Sequence, residues 1–241
     1  MSSYRIFIII RFSINFEKKK WDLNALNYRF FLFENICLAS LKKQKEKENL
    51  KVIILISNDL PKDYKEKLNN LLKDLTFIKV EIFKSFKLEC LQKYITEEVK
   101  IVATVRLDDD DALHPNFTST ISKYCESKYA NCIISFPNGA FLRLEKDKIK
   151  YKLTKKNLIA AGLTMICSIP LGKNIYNGNH TKWQERGYKC IFDPKYLMFI
   201  VSDHNLGQNN RFQRGSEGFK DIDAWFNKKV NFIELDKLLK K

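Results

Sequence analysis

Over its first half the chain alternates short, fully apolar runs with segments that are apolar along one side only, and few folds accept that rhythm. Residues from about 4 to 10 are dominated by Ile and Phe, as in a strand buried on both faces. From about Leu26 to Gln44, Leu26, Phe30, Phe33, Cys37 and Leu41 recur at steps of three and four. They form one stripe of a helix. Val52 to Ile56 is a second buried strand. Pro61 suits the first turn of a helix, whose inner face would be Tyr64, Leu68, Leu71, Leu72 and Leu75. A strand from about Thr76 to Phe83, a helix near Leu88 to Ile95 and a strand from Lys100 to Leu107 follow. Pro115 opens another helix, with Phe117, Ile121, Tyr124 and Cys125 inward. Such β-α alternation specifies a mostly parallel sheet with helices on both faces.

After about residue 130 the rhythm changes. Cys132 to Phe136 reads as a strand. Phe141 to Leu144 and Ile149 to Leu153 read as a hairpin around Lys146-Asp147-Lys148. Gly162 to Ile169 and Leu197 to Val201 are further strands, and a short helix is expected from Asn179 to Arg186. Asp203 to Gly218 is polar and reads as a loop, and a charged amphipathic helix closes the chain. The expectation is an α/β fold with a mixed C-terminal region.

The sharpest chemical signal is Asp108-Asp109-Asp110-Asp111, directly after the apolar run Lys100 to Leu107. Adjacent carboxylates repel, so holding them ionised together is costly. A divalent cation removes that cost, and hard oxygen ligands suit Mg²⁺ or Mn²⁺. In open α/β sheets ligands bind beyond the carboxyl ends of strands, where this run is expected. Alternate residues of an extended segment share a face. Asp108 and Asp110 can therefore enter one crevice, while Asp109 and Asp111 point elsewhere or brace the loop. A solvated acidic turn capping the next helix is the plainer reading, but it explains one aspartate rather than four.

The formal net charge of +15 bears on partners. It attracts phosphorylated small molecules, nucleic acid or an anionic membrane surface, although lysine runs such as Lys42 to Lys47 are ordinarily solvated helix faces. No nucleic-acid-binding module is present, so no specific nucleic-acid partner is expected. The six cysteines include no CxxC pair and no zinc-finger spacing, which fits a reducing cytoplasm. The longest apolar runs, Ile6 to Ile10 and Leu197 to Val201, are far below the ~20 residues of a spanning helix. The N-terminus suits a buried first strand better than a signal peptide. A cytoplasmic protein is expected, with any membrane contact peripheral, at the inner face.

Leu107-Asp108-Asp109-Asp110-Asp111 resembles the DxD signature of GT-A glycosyltransferases. With Arg11-Phe12-Ser13, the segment Arg29 to Ser40, Arg106 to Leu113 and Asp203-His204-Asn205, the chain is more closely similar to the bacterial rhamnosyltransferase family, from about residue 5 to 210. The resemblance implies one GT-A-like domain over 1–241. About 1–130 would be its nucleotide-sugar half and about 131–241 its acceptor half. It implies transfer of a sugar from a nucleotide-diphosphate donor to a glycan or lipid-linked acceptor, for cell-surface polysaccharide, with a divalent metal (Mn²⁺ or Mg²⁺). Inversion at the anomeric carbon is expected separately, because no residue is well placed as a nucleophile for retention. Asp108 would lie near the ribose or base. Arg11, Ser13, Arg106 and Asp109 would join it in binding the donor, and Asp110 would bind the metal, with His204 as the late histidine ligand. Read from the residues alone, the basic stretch with Arg211 and Arg214 is either a loop closing over the diphosphate, since guanidinium pairs with phosphate bidentately, or a plain solvated loop.

The catalytic base is open among three residues. The segment Asn179 to Tyr188 is similar to the GT-A stretch in which an acidic residue precedes Trp, Arg and Gly, but here Asn179-His180 stands in the acid's place. His180, Glu185 and Asp203 are the candidates. A metal-dependent phosphoester hydrolase or nucleotidyltransferase would use the same carboxylates. A nucleotide-sugar pyrophosphorylase would, however, want a Gly-rich phosphate loop after the first strand, and Arg11 to Asn15 is not one.

Overall fold

The computed structural model describes residues 3–16, 19–145, 148–194, 196–203 and 216–217. The first strand, β1 (Tyr4–Phe12), leads through a loop to α1 (Leu23–Leu32), whose first turn is capped by the Asp22 carboxylate accepting from Asn24 N and Ala25 N at 2.9 and 3.1 Å. A π-helical turn, Phe33–Leu38, carries this helix into α2 (Ala39–Lys42). There follow β2 (Leu50–Ile56), α3 (Lys62–Leu72), β3 (Ile78–Ile82), β4 (Ile101–Asp108), β5 (Ala112–Leu113) and α4 (Phe117–Ile121). The second half contributes β6 (Ile133–Ser135), β7 (Asn138–Glu145), β8 (Lys148–Lys155), β9 (Thr164–Ser168), β10 (Cys190–Phe192), β11 (Phe199–Ser202) and β12 (Ser216–Glu217).

Seven strands form the main sheet in the order β10-β6-β9-β4-β1-β2-β3. It is parallel except for β9, which runs against both β4 and β6. The mostly parallel sheet with flanking helices is therefore as the alternation requires. Because side chains alternate across a strand, β1 feeds two layers. Ile6, Ile8, Ile10 and Phe12 pack with Leu26, Phe30, Phe33, Cys37 and Leu41 of the long helix, while Phe7 and Ile9 pack with Leu91, Met165 and Trp183.

The second sheet, ordered β12-β8-β7-β11-β5, was not foreseen. It contains the expected β7–β8 hairpin, but β7 also pairs in parallel with β11, and β11 pairs antiparallel with β5. This sheet covers the far side of the long helix: Tyr28, Phe31, Leu32 and Ile36 pack against Ala112, Ala140, Leu142, Tyr151 and Ile200. The helix read as one-striped is thus buried on two sides, between sheets.

Two expected helices are shorter. Leu88 to Ile95 is a 3-10 segment, Glu89–Tyr94, entered through left-handed Leu88 (φ 54). Asn179 to Arg186 contains only a 3-10 turn, His180–Lys182. Beyond Asp203, the loop and closing helix lie outside the described residues, apart from β12.

Candidate active site

β4 carries the acidic run to the middle of the sheet's carboxyl edge, between β1 and β9. Asp108 is its last residue, opposite Arg11 of β1. The chain then turns, with Asp111 N donating to Asp108 O at 3.2 Å. Asp108 and Asp110 are partly exposed, whereas Asp109 and Asp111 are each 3% exposed; the expected alternation is found, but in a turn rather than along an extended segment.

The buried pair is held from two directions. Arg29 of α1 grips both Asp109 oxygens at 2.8 and 2.9 Å, and Ser13 N donates to Asp109 Oδ2 at 3.2 Å from a left-handed residue (φ 48). Asp111 accepts from Ser202 N at 3.1 Å, at the end of β11. Burial raises the Asp109 carboxyl to about 6. Arg29 opposes that rise, and Asp110 and Asp108 add to it. Asp111 is pushed well above the ordinary carboxylate range, first by burial and then by Asp110 and Asp108, with the Ser202 N–H opposing. The phenol of Tyr28, buried in α1, rises to about 12 through burial and then the charge of Asp110.

Asp108 faces two arginines, Arg11 at 3.4 Å and Arg106 at 3.3 Å. Both guanidinium groups lie over the ring of buried Tyr176, at 5.2 and 5.5 Å from its centroid. The Tyr176 hydroxyl donates to Ile9 O at 3.0 Å. Arg106 also lies 3.5 Å from Nδ1 of His180. Three buried donors on this wall, Arg11 Nε, Arg106 Nε and Ser13 Oγ, have no hydrogen-bond partner.

These groups line a crevice of about 690 Å³, with Asn15, Phe16, Lys19, Lys20 and Trp21 along its other side. That loop is pinned to the one after β2: Asn15 N donates to Ser57 Oγ at 2.8 Å and Trp21 Nε1 to Asp59 O at 2.9 Å.

Of the residues expected at the site, Arg11, Ser13, Arg106, Asp108, Asp109, Asp110, His180 and Asp203 all line the crevice. Asp203 is buried and bound by Arg143 at 2.7 Å. Glu185 is exposed and is not among the lining residues. His204, Arg211 and Arg214 lie outside the described residues. Arg29, Tyr176, Lys19, Lys20 and Trp21 were not anticipated as site residues. Arg29 left a signal: it is the one charged residue of α1 and is followed directly by the buried run Phe30-Phe31-Leu32, where a cation needs a partner.

A family model described as "Putative rhamnosyl transferase" matches residues 17–215. No curated protein matches the chain significantly. Among solved structures, S. aureus TarS 1-349 in complex with UDP-GlcNAc is 10% identical at a TM-score of 0.47, over 83% of this chain and 59% of that one. The mannosyltransferase PcManGT from Pyrobaculum calidifontis, in complex with GDP-Man and Mn2+, is 13% identical at a TM-score of 0.47, over 84% and 58%. A "Putative Glucose-1-Phosphate Thymidylyltransferase" from Bacillus anthracis is 7% identical at a TM-score of 0.46, over 81% and 88%. The chain thus spans about 60% of the length of the TarS 1-349 structures.

Proposed function

Because this chain belongs to the family described as "Putative rhamnosyl transferase", we propose that it transfers a sugar from a nucleotide-diphosphate donor, and that the crevice over β4 is the donor site. One observation carries the assignment of the site. Two partly open carboxylates, Asp108 and Asp110, share a crevice with buried guanidinium and hydroxyl donors that no protein group satisfies. Buried donors left unpaired are costly, and phosphate oxygens are the acceptors that arginine takes best.

The carboxylates also suit a divalent cation. Among the described residues, no three His, Cys, Asp or Glu side chains form a complete cage. Mg²⁺-type sites, however, use one or two carboxylates and complete their shell with water and substrate phosphate. Asp110 would hold the ion, with His204 as a further ligand from outside the described residues. When bound, the cation would neutralise the departing nucleoside diphosphate.

The chain's own groups do the rest. Tyr176 holds Arg11 and Arg106 against Asp108, which takes the donor's ribose or base side. Arg29 and Ser13 keep Asp109 folded under the turn, so Asp109 serves the donor by shaping its floor. Lys19 and Lys20 add positive charge at the opposite wall, and Arg211 and Arg214, outside the described residues, are the further cations this reading assigns to the diphosphate. His180 is the preferred base, because it lines the crevice and a neutral imidazole accepts a proton directly. The acceptor hydroxyl oxygen attacks the anomeric carbon as its proton passes to His180. The carbon–oxygen bond to phosphate breaks, and its electron pair leaves with the diphosphate, giving inversion. Asp203 is engaged by Arg143, and Glu185 lies off the crevice lining.

The acceptor is a glycan or lipid-linked chain, and the setting is the inner face of the cell membrane. Among the described residues, no helix is long and apolar enough to cross a membrane. The net charge of +15 supports peripheral attachment to anionic lipid.

The test is donor turnover with Mn²⁺ or Mg²⁺, comparing the parent with Asp110→Ala. Losing the cation's charge stabilisation should lower kcat by roughly 10²-fold or more. A normally folded Asp110→Ala protein with undiminished turnover overturns the assignment. Release of sugar phosphate instead of nucleoside diphosphate would move the chain to the nucleotidyltransferase or phosphoester hydrolase reading.

A further inference from the structure

A second hollow, of about 640 Å³, lies beside the starts of β6 and β10. Its floor is Asn131 and Cys132, just before β6. Asn131 N donates to Ile166 O, and Ile166 N to Cys132 O, at 2.8 and 3.0 Å. Ile166 pairs with Ala103 of β4. The hollow is therefore level with a residue five positions before Asp108, or roughly 17 Å back along the strand and two strands across. It is not part of the donor crevice.

Lys128, Lys173, Arg186 and Lys189 line this hollow with Tyr188, and no carboxylate is among its lining residues. Lys128 is engaged by Glu126 at 2.7 Å. Two of the other three cations are set in place by aromatic rings. Arg186 lies 5.0 Å over the ring of Trp183, which is fully buried, and donates to Asn177 O at 2.9 Å. Lys173 lies 5.4 Å over Tyr188, whose ring meets Trp183 edge to face at 4.9 Å. Two of its lining residues, Asn131 (φ 61) and Gly187 (φ 80), are left-handed. The Trp183–Tyr188 pair thus sets a guanidinium and an ammonium beside one hollow, with no carboxylate in its lining to offset them.

Like charges held together repel, and a multivalent anion relieves that cost. A planar guanidinium beside ammonium groups matches tetrahedral phosphate in particular. We propose that this hollow is a binding site for a phosphate group other than the donor's, either as free phosphate or as the headgroup of an anionic phospholipid.

The test reads the amide signals of Asn131, Gly187 and Lys189 by NMR while inorganic phosphate is added, against chloride at matched ionic strength. Saturable shifts at these amides are expected with phosphate only. They should weaken by about tenfold or more in affinity in a Lys173→Glu, Lys189→Glu protein. A control with the same charge change, Lys62→Glu with Lys79→Glu, should keep them. Co-sedimentation with phosphatidylcholine vesicles, with and without phosphatidylglycerol, separates the sources. Loss of phosphatidylglycerol binding in the hollow variant but not the control identifies a lipid headgroup; equal binding by both identifies free phosphate. Absence of saturable shifts in the parent protein, or shifts that persist unchanged in the hollow variant, overturns the site. These readouts do not depend on donor turnover, so the outcome stands apart from the transferase assignment.

Discussion

Asp109 shows how a residue can belong to a charged motif and still serve it indirectly. Its carboxylate is spent on Arg29 and Ser13 N, which ties the acidic turn to α1 and to the end of β1. Replacing Arg29 by Met keeps the stem but strands a buried acid. Because Arg29 is about one-third exposed at its side chain, water and a proton can partly compensate. The expected loss is about 2 kcal/mol of unfolding free energy, below the full cost of breaking a buried pair. Chemical denaturation measures it, and Arg29→Lys should recover part of the loss, since one nitrogen, Nη1, makes both contacts to Asp109, while the more strongly hydrated ammonium on its flexible stem is less readily held there.

Asp111 makes a prediction with a definite sign. Its folded-state carboxyl is raised by burial and by its neighbours, so between the ordinary carboxylate range and that higher value the folded state binds more protons than the unfolded one. Stability therefore falls as pH rises through this window. Without metal, Asp111→Asn should unfold at a higher temperature than the parent at neutral pH, and the gap should close towards pH 4, near the ordinary carboxylate value of 3.8. A gap that widens on acidification would contradict this. The acidic run itself was legible because like charges after a buried strand demand an explanation. Tyr176 was not, because nothing near it in sequence announces the two arginines that fold against its ring.

At the level of elements, what could be read depended on how local each pairing is. The β7–β8 hairpin follows from alternation about a polar turn. The second sheet that contains it does not, because β5 has two residues and β11 four, and β7 meets β11 across some sixty positions of chain. The long helix misled for a related reason: its second apolar face looks incidental until the sheet that covers it is known. Gly139 exposes the mechanics of that junction. A Cβ there would lie 2.3–2.5 Å from the Phe199 ring of β11, closer than the packed interior can yield. Gly139→Val should cost about 1–3 kcal/mol by overpacking. Because β11 ends at Ser202, which holds Asp111, it should also raise the donor KM. Gly172→Ala, whose added Cβ meets nothing within 4 Å, should leave both the Tm and the KM unchanged. An unchanged KM in a measurably destabilised Gly139→Val protein would show that the second sheet does not set the acidic turn.

On the scale of the whole molecule, the parallel half announced itself through apolar runs buried on both faces, while the crevice at its edge is assembled from β1, α1, β4, the His180 turn and β11. A site drawn from so many elements should respond to ligand as a unit. Metal alone meets a few carboxylates, and nucleoside diphosphate alone meets arginines while its charge is opposed by Asp108 and Asp110. Each removes the obstacle to the other, so their binding free energies should be coupled, and the coupling must be equal in both directions. Ligand at about a hundred times its Kd stabilises the fold by roughly 2.7 kcal/mol. UDP, GDP or dTDP with Mn²⁺ should therefore raise the Tm by more than the sum of the shifts from nucleotide and Mn²⁺ separately. In Asp110→Ala the excess should vanish while the nucleotide-only shift persists or grows, because one opposing charge is gone. Strictly additive shifts in the parent protein would mean that the cation and the diphosphate do not share the crevice, and the carboxylates at the end of β4 would then need another explanation.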